Sequence, residues 1–390
     1  MRDGWRQRRL WGGLCLVLAL VPGCATVRNN APSPDLRPCS DGFAYTKDGW
    51  KLGVRHLTPP HPDPSKLPVV LCHGLGLNGT FWTITDDHLP EQLVARGYQV
   101  FIFDLRGSGN SVKIGLEETN GRKREGPFPE RGEDRWNVDE TAFQDVPAVL
   151  DYVKTATGED RVNWVGHSLG GMLLFPFLEL SPDAGRIANF VGMGSTIVLA
   201  EAPQRDMLRA NRGLRLLACF VSPGRLGRPL KYFRFPGLEH IDAFYYTASN
   251  VDKRTVSRFY GYTLEDTGRS ALRQLDPYLE KGHFVSADGK TDYVGLLDRV
   301  TLPILLVAGD CDIMSDVPST RRMYDAIASP DKTLLCFGKR EGQRADYGHC
   351  DLVWSRYAPK EIFPPLIDWL DKHQGRLASE QRPSEQRTER

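Results

Sequence analysis

A serine stands between two glycines in residues 166–170, which read GHSLG and fit the pattern G-x-S-x-G. Residues 161–165 have the composition of a buried strand, and residues 171–180 have that of a helix. A residue on a strained strand-to-helix turn needs glycine two positions before and after it to avoid steric clashes. A serine hydroxyl exposed at such a turn can be activated by a base, so we predict that Ser168 is a nucleophile. A structural glycine-rich turn is the alternative.

The carboxylate that would orient the base is expected after the serine and before the histidine. A predicted strand over residues 303–308 runs into a loop that contains Asp310, Asp312 and Asp316. Asp312 is favoured because its position clears the edge of the sheet and lets it reach a histidine. Asp310 is nearer the strand and is expected to accept hydrogen bonds from backbone amides, and Asp316 is a third candidate.

Two histidines follow Asp312 in the chain. His349 lies in a loop between the last predicted strand and a terminal helix, so it is predicted to be the general base. His373 lies in a polar stretch near the C-terminus and is expected to be solvated. His167 is the variable residue of the G-x-S-x-G pattern and is expected to pack beneath the turn.

An acyl-transfer site also needs donors for the developing oxyanion. The residue after the nucleophile, Leu169, can supply one backbone N–H. The loop after the first central strand reads HGLG at residues 73–76, and its glycines allow the backbone to approach a substrate. We therefore predict that the Leu75 N–H is the second donor.

Short β-type runs alternate with helical patterns through most of the chain, with strands predicted at residues 66–72 and 98–103 and a helix at 139–155. This alternation predicts an α/β fold with a mostly parallel central sheet flanked by helices, and the G-x-S-x-G turn after a strand resembles that of the α/β-hydrolase fold. Residues 196–299 mix aromatic and basic side chains and are predicted to be an inserted helical cap or lid. Within it, apolar residues between Leu214 and Phe244 either pack on the core or line an acyl channel above Ser168.

The N-terminus combines basic residues with an apolar run at residues 10–21, which indicates a signal peptide. Cys24 follows Pro22 and Gly23 in a context that resembles a bacterial lipobox, so Cys24 is the predicted lipidation site. An uncleaved anchor and an ordinary export signal are the alternatives. The predicted location is the bacterial periplasm or cell envelope, with the protein attached to a membrane by its N-terminal lipid.

The predicted organisation divides the 390-residue chain into six parts. These are a signal peptide (1–23), a tether (24–38), the first part of the hydrolase core (39–195), the cap (196–299), the second part of the core (300–373) and a disordered tail (374–390).

Composition excludes some partners. The formal net charge of +1 gives no reason to expect nucleic acid. The eight cysteines show neither a C-x-x-C pair nor a zinc-binding spacing, so no metal or cofactor is predicted, and most cysteines are expected to be small buried residues.

Together these motifs resemble the acid lipase family, which includes gastric and lysosomal lipases, over residues 40–370. The shared motifs are HGL at 73–75, GHSLG at 166–170, D-x-x-x-D from Asp312 to Asp316 and H-x-D from His349 to Asp351, with Trp354 following. Leu169 replaces the glutamine that is common in the family, and the cap is shorter. The resemblance implies an esterase or lipase that acts on an ester or lipid through an acyl-enzyme intermediate.

Other activities fit the same residues. A thioesterase, a polyester depolymerase or a perhydrolase would use the same triad. A surface lipoprotein that binds a ligand on a hydrolase scaffold without turnover is the alternative from outside the enzymes.

Overall fold

The structure of the protein, a computed structural model, describes residues 41–114, 135–200, 227–232 and 238–374, together with Gly224. In this part of the chain nine strands form one sheet, and helices flank it. The predicted α/β class is therefore confirmed. The predicted signal peptide, Cys24 and the tether lie outside the described residues.

The strands are β1 (Gly42–Tyr45), β2 (Trp50–Leu57), β3 (Val69–Cys72), β4 (Val100–Phe103), β5 (Val112–Lys113), β6 (Val162–His167), β7 (Ile187–Met193), β8 (Ile304–Gly309) and β9 (Lys332–Phe337). The α-helices of the described part of the chain are α1 (Leu89–Ala95), α2 (Val138–Glu140), α3 (Val146–Thr157), α4 (Leu169–Met172), α5 (Leu174–Leu180), α6 (Leu238–Tyr245), α7 (Lys253–Arg258), α8 (Arg269–Lys281), α9 (Val317–Ala326), α10 (Asp351–Trp354), α11 (Ala358–Glu361) and α12 (Phe363–Lys372). None of these helices has the length and apolar character needed to cross a bilayer.

The strand order is β1-β2-β4-β3-β6-β7-β8-β9, and β5 pairs with β2. From β4 to β9 along this order every pair is parallel, whereas β2 pairs antiparallel with β1, β4 and β5. The antiparallel strands were not predicted, because β2 mixes apolar residues with Lys51, Arg55 and His56 and lacks the continuous apolar run of a buried parallel strand. Strand β3 begins at Val69, three residues later than predicted, directly after Pro68, which has no N–H to donate to a ladder.

The sheet is buried on both faces. In β6, Trp164 packs into one apolar cluster and Val165 into the other, and both are fully buried. Successive side chains of a strand point to opposite faces, so a strand covered on both sides must be apolar throughout. This explains why the central strands could be recognised from sequence.

The predicted helix over residues 139–155 is interrupted. A π-helical turn, Thr141–Asp145, separates α2 from α3. The last residue of this turn is the fully buried Asp145. Its Oδ1 accepts hydrogen bonds from Arg106 Nε at 2.8 Å and from Arg106 Nη2 at 2.6 Å. A buried carboxylate needs a charged or hydrogen-bonding partner of this kind. The sequence does not indicate that Asp145 is buried, because charged residues are usually exposed.

The chain between β7 and β8, here called the inserted segment, is largely helical where it is described. It contains α6, α7 and α8, and its described residues add no strand to the sheet. Two isolated bridges, Val198 with His283 and Val285 with Asp292, are its only β-type pairings among the described residues. Much of the predicted acyl-channel stretch, residues 214–223, 225–226 and 233–237, lies outside the described residues.

The C-terminal predictions need correction. His373 is not solvated, because its ring stacks on Trp369 at 3.9 Å between centroids and its Nε2 lies 3.2 Å from Asp331. Gln374 does not begin a disordered tail, since it is buried, accepts a hydrogen bond from Leu67 N–H and donates one to Leu370 O. Residues 375–390 lie outside the described part of the chain.

Candidate active site

Ser168 occupies the turn between β6 and α4. Its backbone dihedrals are φ 52° and ψ −122°, and no other described residue except glycine has a positive φ. Such a conformation costs roughly 1–3 kcal/mol and persists only where surrounding contacts enforce it. Here the Ser168 N–H donates to the Met193 carbonyl of the neighbouring strand at 2.9 Å. The strain is therefore imposed by the sheet at the one residue predicted to be the nucleophile.

The two glycines of the pattern are required by close backbone approach. A Cβ on Gly166 would overlap the Gly170 carbonyl, and a Cβ on Gly170 would overlap the Cys72 carbonyl at the end of β3. These contacts allow the helix to start directly above the strand. Any side chain at Gly166 or Gly170 would therefore clash with the backbone around Ser168, as the G-x-S-x-G pattern predicts.

Asp312 and His349 form a buried pair. The His349 Nδ1 lies 2.8 Å from Asp312 Oδ2, and the exposed fractions of the two side chains are 4% and 0%. The other oxygen of Asp312 accepts hydrogen bonds from the N–H groups of Met314 and Ser315 at 2.8 and 2.9 Å. The Asp312 carboxylate is thus held by backbone N–H groups at Oδ1, and its Oδ2 contacts the imidazole of His349.

The alternative residues have other partners. Asp310 accepts a hydrogen bond from the Tyr347 N–H at 3.1 Å, and Asp316 caps α9 by accepting from the Ser319 N–H at 2.7 Å. His373 contacts Trp369 and Asp331 at the far end of the chain. Of the aspartates weighed from sequence, only Asp312 is paired with His349.

The other ring nitrogen of His349, Nε2, is buried and has no hydrogen-bond partner among the described residues. Gly194 lies close both to the turn at Ser168 and to the Asp312–His349 pair. It directly follows Met193, whose carbonyl accepts the hydrogen bond from the Ser168 N–H. A Cβ on Gly194 would stand 3.1 Å from Asp312 Oδ2 and 3.2 Å from His349 Nδ1. The structure thus brings the three predicted side chains to one place at the carboxyl edge of the sheet.

Leu169 directly follows Ser168 in the chain, and the loop that contains Leu75 approaches Ser168 at Gly74. Leu169 is the first residue of α4, and Leu75 follows Gly74, on which a Cβ would stand 3.0 Å from the Ser168 Cβ. Among the described residues, neither the Leu75 N–H nor the Leu169 N–H donates to a protein acceptor.

The sequence places His73 in the HGLG loop but gives no indication of its role. Its Nδ1 donates to the Gly74 carbonyl at 2.8 Å and its Nε2 accepts from the Leu105 N–H at 3.1 Å. Burial lowers the pKa of His73 to about 4, so the ring is neutral at pH 7. The neutral ring holds the loop that carries Leu75.

His167 packs beneath the turn, as expected. It is fully buried, stacks against Phe81 at 4.5 Å between centroids and donates from Nε2 to the His349 carbonyl at 3.0 Å. Burial, reinforced by the neighbouring His349, places the pKa of His167 well below its ordinary value. His167 thus acts on the backbone of His349 as a neutral donor.

The cysteines agree only in part with the prediction. Cys72 and Cys350 are buried, whereas Cys336 is half-buried and Cys311 is exposed, and all four are free thiols. Cys39 and Cys219 lie outside the described residues. Within the described part of the chain, no three His, Cys, Asp or Glu side chains form a group that could hold a metal ion.

Comparison with known proteins defines the class. The family model of the alpha/beta hydrolase fold matches residues 68–355. The chain therefore belongs to the α/β-hydrolase fold family.

Similar proteins of known class indicate which kind of α/β hydrolase this chain resembles. Gastric triacylglycerol lipase of Rattus norvegicus is 23% identical over 376 residues, covering 85% of this chain and 88% of that protein. A probable lipase of Schizosaccharomyces pombe is 28% identical over 358 residues, covering 84% and 76%. These relatives support a lipase-like member of the family, and the protein is a carboxylic ester hydrolase.

Solved structures share the fold. A soluble variant of the monoglyceride lipase of Saccharomyces cerevisiae superposes with a TM-score of 0.56 at 18% identity, covering 90% of this chain and 99% of that one. A thermophilic esterase of Thermogutta terrifontis gives a TM-score of 0.54 at 18% identity, with 85% and 98% covered. At these identities the likeness concerns the fold alone.

Proposed function

We propose that the protein hydrolyses carboxylic esters through a triad of Ser168, His349 and Asp312 and an acyl-enzyme intermediate. The observation that carries the proposal is the buried 2.8 Å Asp312–His349 hydrogen bond beside a serine held at positive φ. Asp312 fixes the tautomer in which His349 Nδ1 carries the proton, which leaves Nε2 as the base.

The first half of the reaction forms the acyl-enzyme. His349 Nε2 takes the proton of the Ser168 hydroxyl while Oγ attacks the ester carbonyl carbon, and the Leu75 and Leu169 N–H groups bind the resulting oxyanion. Collapse of the tetrahedral intermediate breaks the bond to the alcohol oxygen, which receives the proton from His349. Water then attacks the acyl-enzyme with the same base, and the acid is released as Ser168 regains its proton.

Ser168→Ala tests this function. We expect kcat for p-nitrophenyl butyrate to fall by about 10⁶, the loss seen when a serine protease nucleophile is removed. Labelling by a fluorophosphonate should disappear as well. Ser181→Ala, at the end of α5, is the control and should keep both activity and labelling. A Ser168→Ala protein that retains more than a few per cent of wild-type activity would refute the assignment.

The proposed substrate is an ester with an acyl chain of at least medium length. The apolar cluster that contains Leu169 continues into the inserted segment through Ile197, Ala271 and the partly buried Leu275. Each buried methylene contributes at most about 0.8 kcal/mol, so kcat/KM should rise several-fold for every two carbons up to about eight. A series of p-nitrophenyl esters measures this, and a maximum at acetate would identify a short-chain esterase instead.

The proposed location is the cell envelope, with Cys24 lipidated after cleavage of the signal peptide. The support is the sequence context of Cys24 after an apolar run. A labelled fatty acid should appear on the wild type and not on Cys24→Ala, which should leave the membrane fraction. Equal labelling of the two proteins would contradict lipidation at Cys24.

A further inference from the structure

The loop that carries His349, residues 347–351 and here called the histidine loop, is held at three consecutive residues. The Gly348 N–H donates to Asp351 Oδ2 at 2.8 Å, and the His349 carbonyl accepts from His167 at 3.0 Å. The Cys350 N–H donates to the Tyr245 carbonyl at 2.7 Å. The backbone of His349 is therefore fixed on both sides of its Cα.

Asp351 connects this loop with the inserted segment. Its carboxylate is fully buried and accepts hydrogen bonds from the Thr247 N–H at 3.0 and 3.2 Å and from Asn250 Nδ2 at 2.9 Å. Asn250 Nδ2 also donates to the Asp346 carbonyl at 2.6 Å. One carboxylate thus binds the histidine loop through Gly348 and the inserted segment through Thr247 and Asn250.

The hydrogen bonds that the Asp351 carboxylate accepts are charge-assisted. Hydrogen bonds from neutral N–H groups to a carboxylate are shorter and about twice as strong as those between neutral partners. Burial raises the pKa of Asp351, and the donors from Gly348, Thr247 and Asn250 act in the opposite direction by stabilising the ionised form. Losing this acceptor would leave several buried donors without a partner.

We propose, resting on the function proposed above, that Asp351 is a positioning residue for His349 and that Thr247 and Asn250 act on His349 through it. Residues 245–250 of the inserted segment are then part of the catalytic framework and do not move away from it when substrate enters. A reacting group displaced by 1 Å can lose about 100-fold in rate, so the alignment of His349 with Ser168 depends on this contact.

Asp351→Asn tests the proposal, because the amide keeps the shape of the side chain but replaces one acceptor oxygen with a donor. We expect kcat to fall by about 10- to 100-fold with KM changed by less than about threefold. The rate of fluorophosphonate labelling should fall in parallel, since it also depends on activation of Ser168 by His349.

Two further variants complete the test. Asn250→Ala removes the side-chain donor and keeps Asp351, so its kcat should fall less than that of Asp351→Asn, again with KM changed by less than about threefold. Asp252→Asn is the matched control, since Asp252 caps α7 through the Thr255 N–H at 2.8 Å, and it should leave kcat and the rate of fluorophosphonate labelling unchanged. If Asp351→Asn fails to fold, Asn250→Ala decides.

The outcomes separate the two proposals. If Asp351→Asn and Asn250→Ala keep the wild-type kcat and labelling rate, Asp351 has only a structural role and the positioning proposal is overturned, even if both variants melt at lower temperature. If Ser168→Ala stays active, the proposed function itself fails. An inactive Ser168→Ala protein beside a fully active Asp351→Asn protein would overturn the positioning proposal alone.

Discussion

Two histidines next to glycine lie in loops at the carboxyl edge of the sheet, and they have opposite environments. His73 precedes Gly74 and His349 follows Gly348, and the two residues are 1% and 4% exposed. His73 engages both ring nitrogens with backbone groups of Gly74 and Leu105. His349 engages Nδ1 with Asp312 and leaves Nε2 without a partner among the described residues.

The difference shows what separates a structural histidine from one suited to general base catalysis. A ring with two backbone partners and no carboxylate is held neutral and has no nitrogen left to accept a proton, so its contribution is to stability. A ring oriented by a carboxylate through one nitrogen keeps the other nitrogen available as a base. Burial alone does not distinguish the two.

The largest expected effect comes from removing the carboxylate that makes His349 different. Asp312→Asn should lower kcat by about 10⁴, as loss of the correct histidine tautomer does in a serine protease. Asp310→Asn is the matched control, two residues earlier in the same loop, and should lower kcat far less. Steady-state hydrolysis of p-nitrophenyl butyrate measures both. The reverse ranking would mean that Asp310 is the partner of His349.

A smaller effect on kcat is expected from a variant that displaces Asp312 and His349 but keeps both side chains. Gly194→Ala places a methyl group about 3 Å from both Asp312 Oδ2 and His349 Nδ1, at a backbone φ of +54° that L residues avoid. We expect kcat to fall by about 10- to 100-fold with KM nearly unchanged. Gly185→Ala, where a Cβ would meet nothing within 4 Å, is the control. Wild-type kcat in a folded Gly194→Ala protein would show that the pair tolerates displacement.

The smallest effect on activity, and the largest on stability, is expected at His73. His73→Leu leaves the buried Leu105 N–H without its acceptor, which should cost about 1–3 kcal/mol in the free energy of unfolding. We expect kcat to fall by less than the factor of about 10² that follows loss of an oxyanion donor. Urea unfolding and steady-state kinetics of the same preparation measure both. A loss of kcat comparable with that of Asp312→Asn would contradict the structural role.

The same variant should change the pH dependence of stability. The pKa of His73 is about 4 in the folded protein and 6.5 ordinarily, so between these values the unfolded chain binds more protons. The free energy of unfolding of the wild type therefore decreases as the pH falls from 6.5 to 4, and His73→Leu should reduce this decrease. Equal slopes for the two proteins over this range would refute the assigned neutrality of His73.

The central strands and the turn at Ser168 could be predicted because their requirements are local. A strand buried on both faces must be apolar throughout, and the turn needs glycine at two set positions, so both leave a pattern in neighbouring residues. The strand β2 could not be predicted in this way, since its polar residues Lys51 and His56 obscure the alternation.

The sequence by itself determined the fold class, the position of the strained serine and the family to which the chain belongs. Only the tertiary structure decided which carboxylate is paired with which histidine, because Asp312 and His349 lie 37 residues apart and their contact depends on where β8 and β9 end. The roles of His73, Gly194 and Asp351 were likewise invisible in sequence. Their partners, such as Leu105 and Asn250, lie in distant parts of the chain, and no local pattern encodes a contact that folding alone creates.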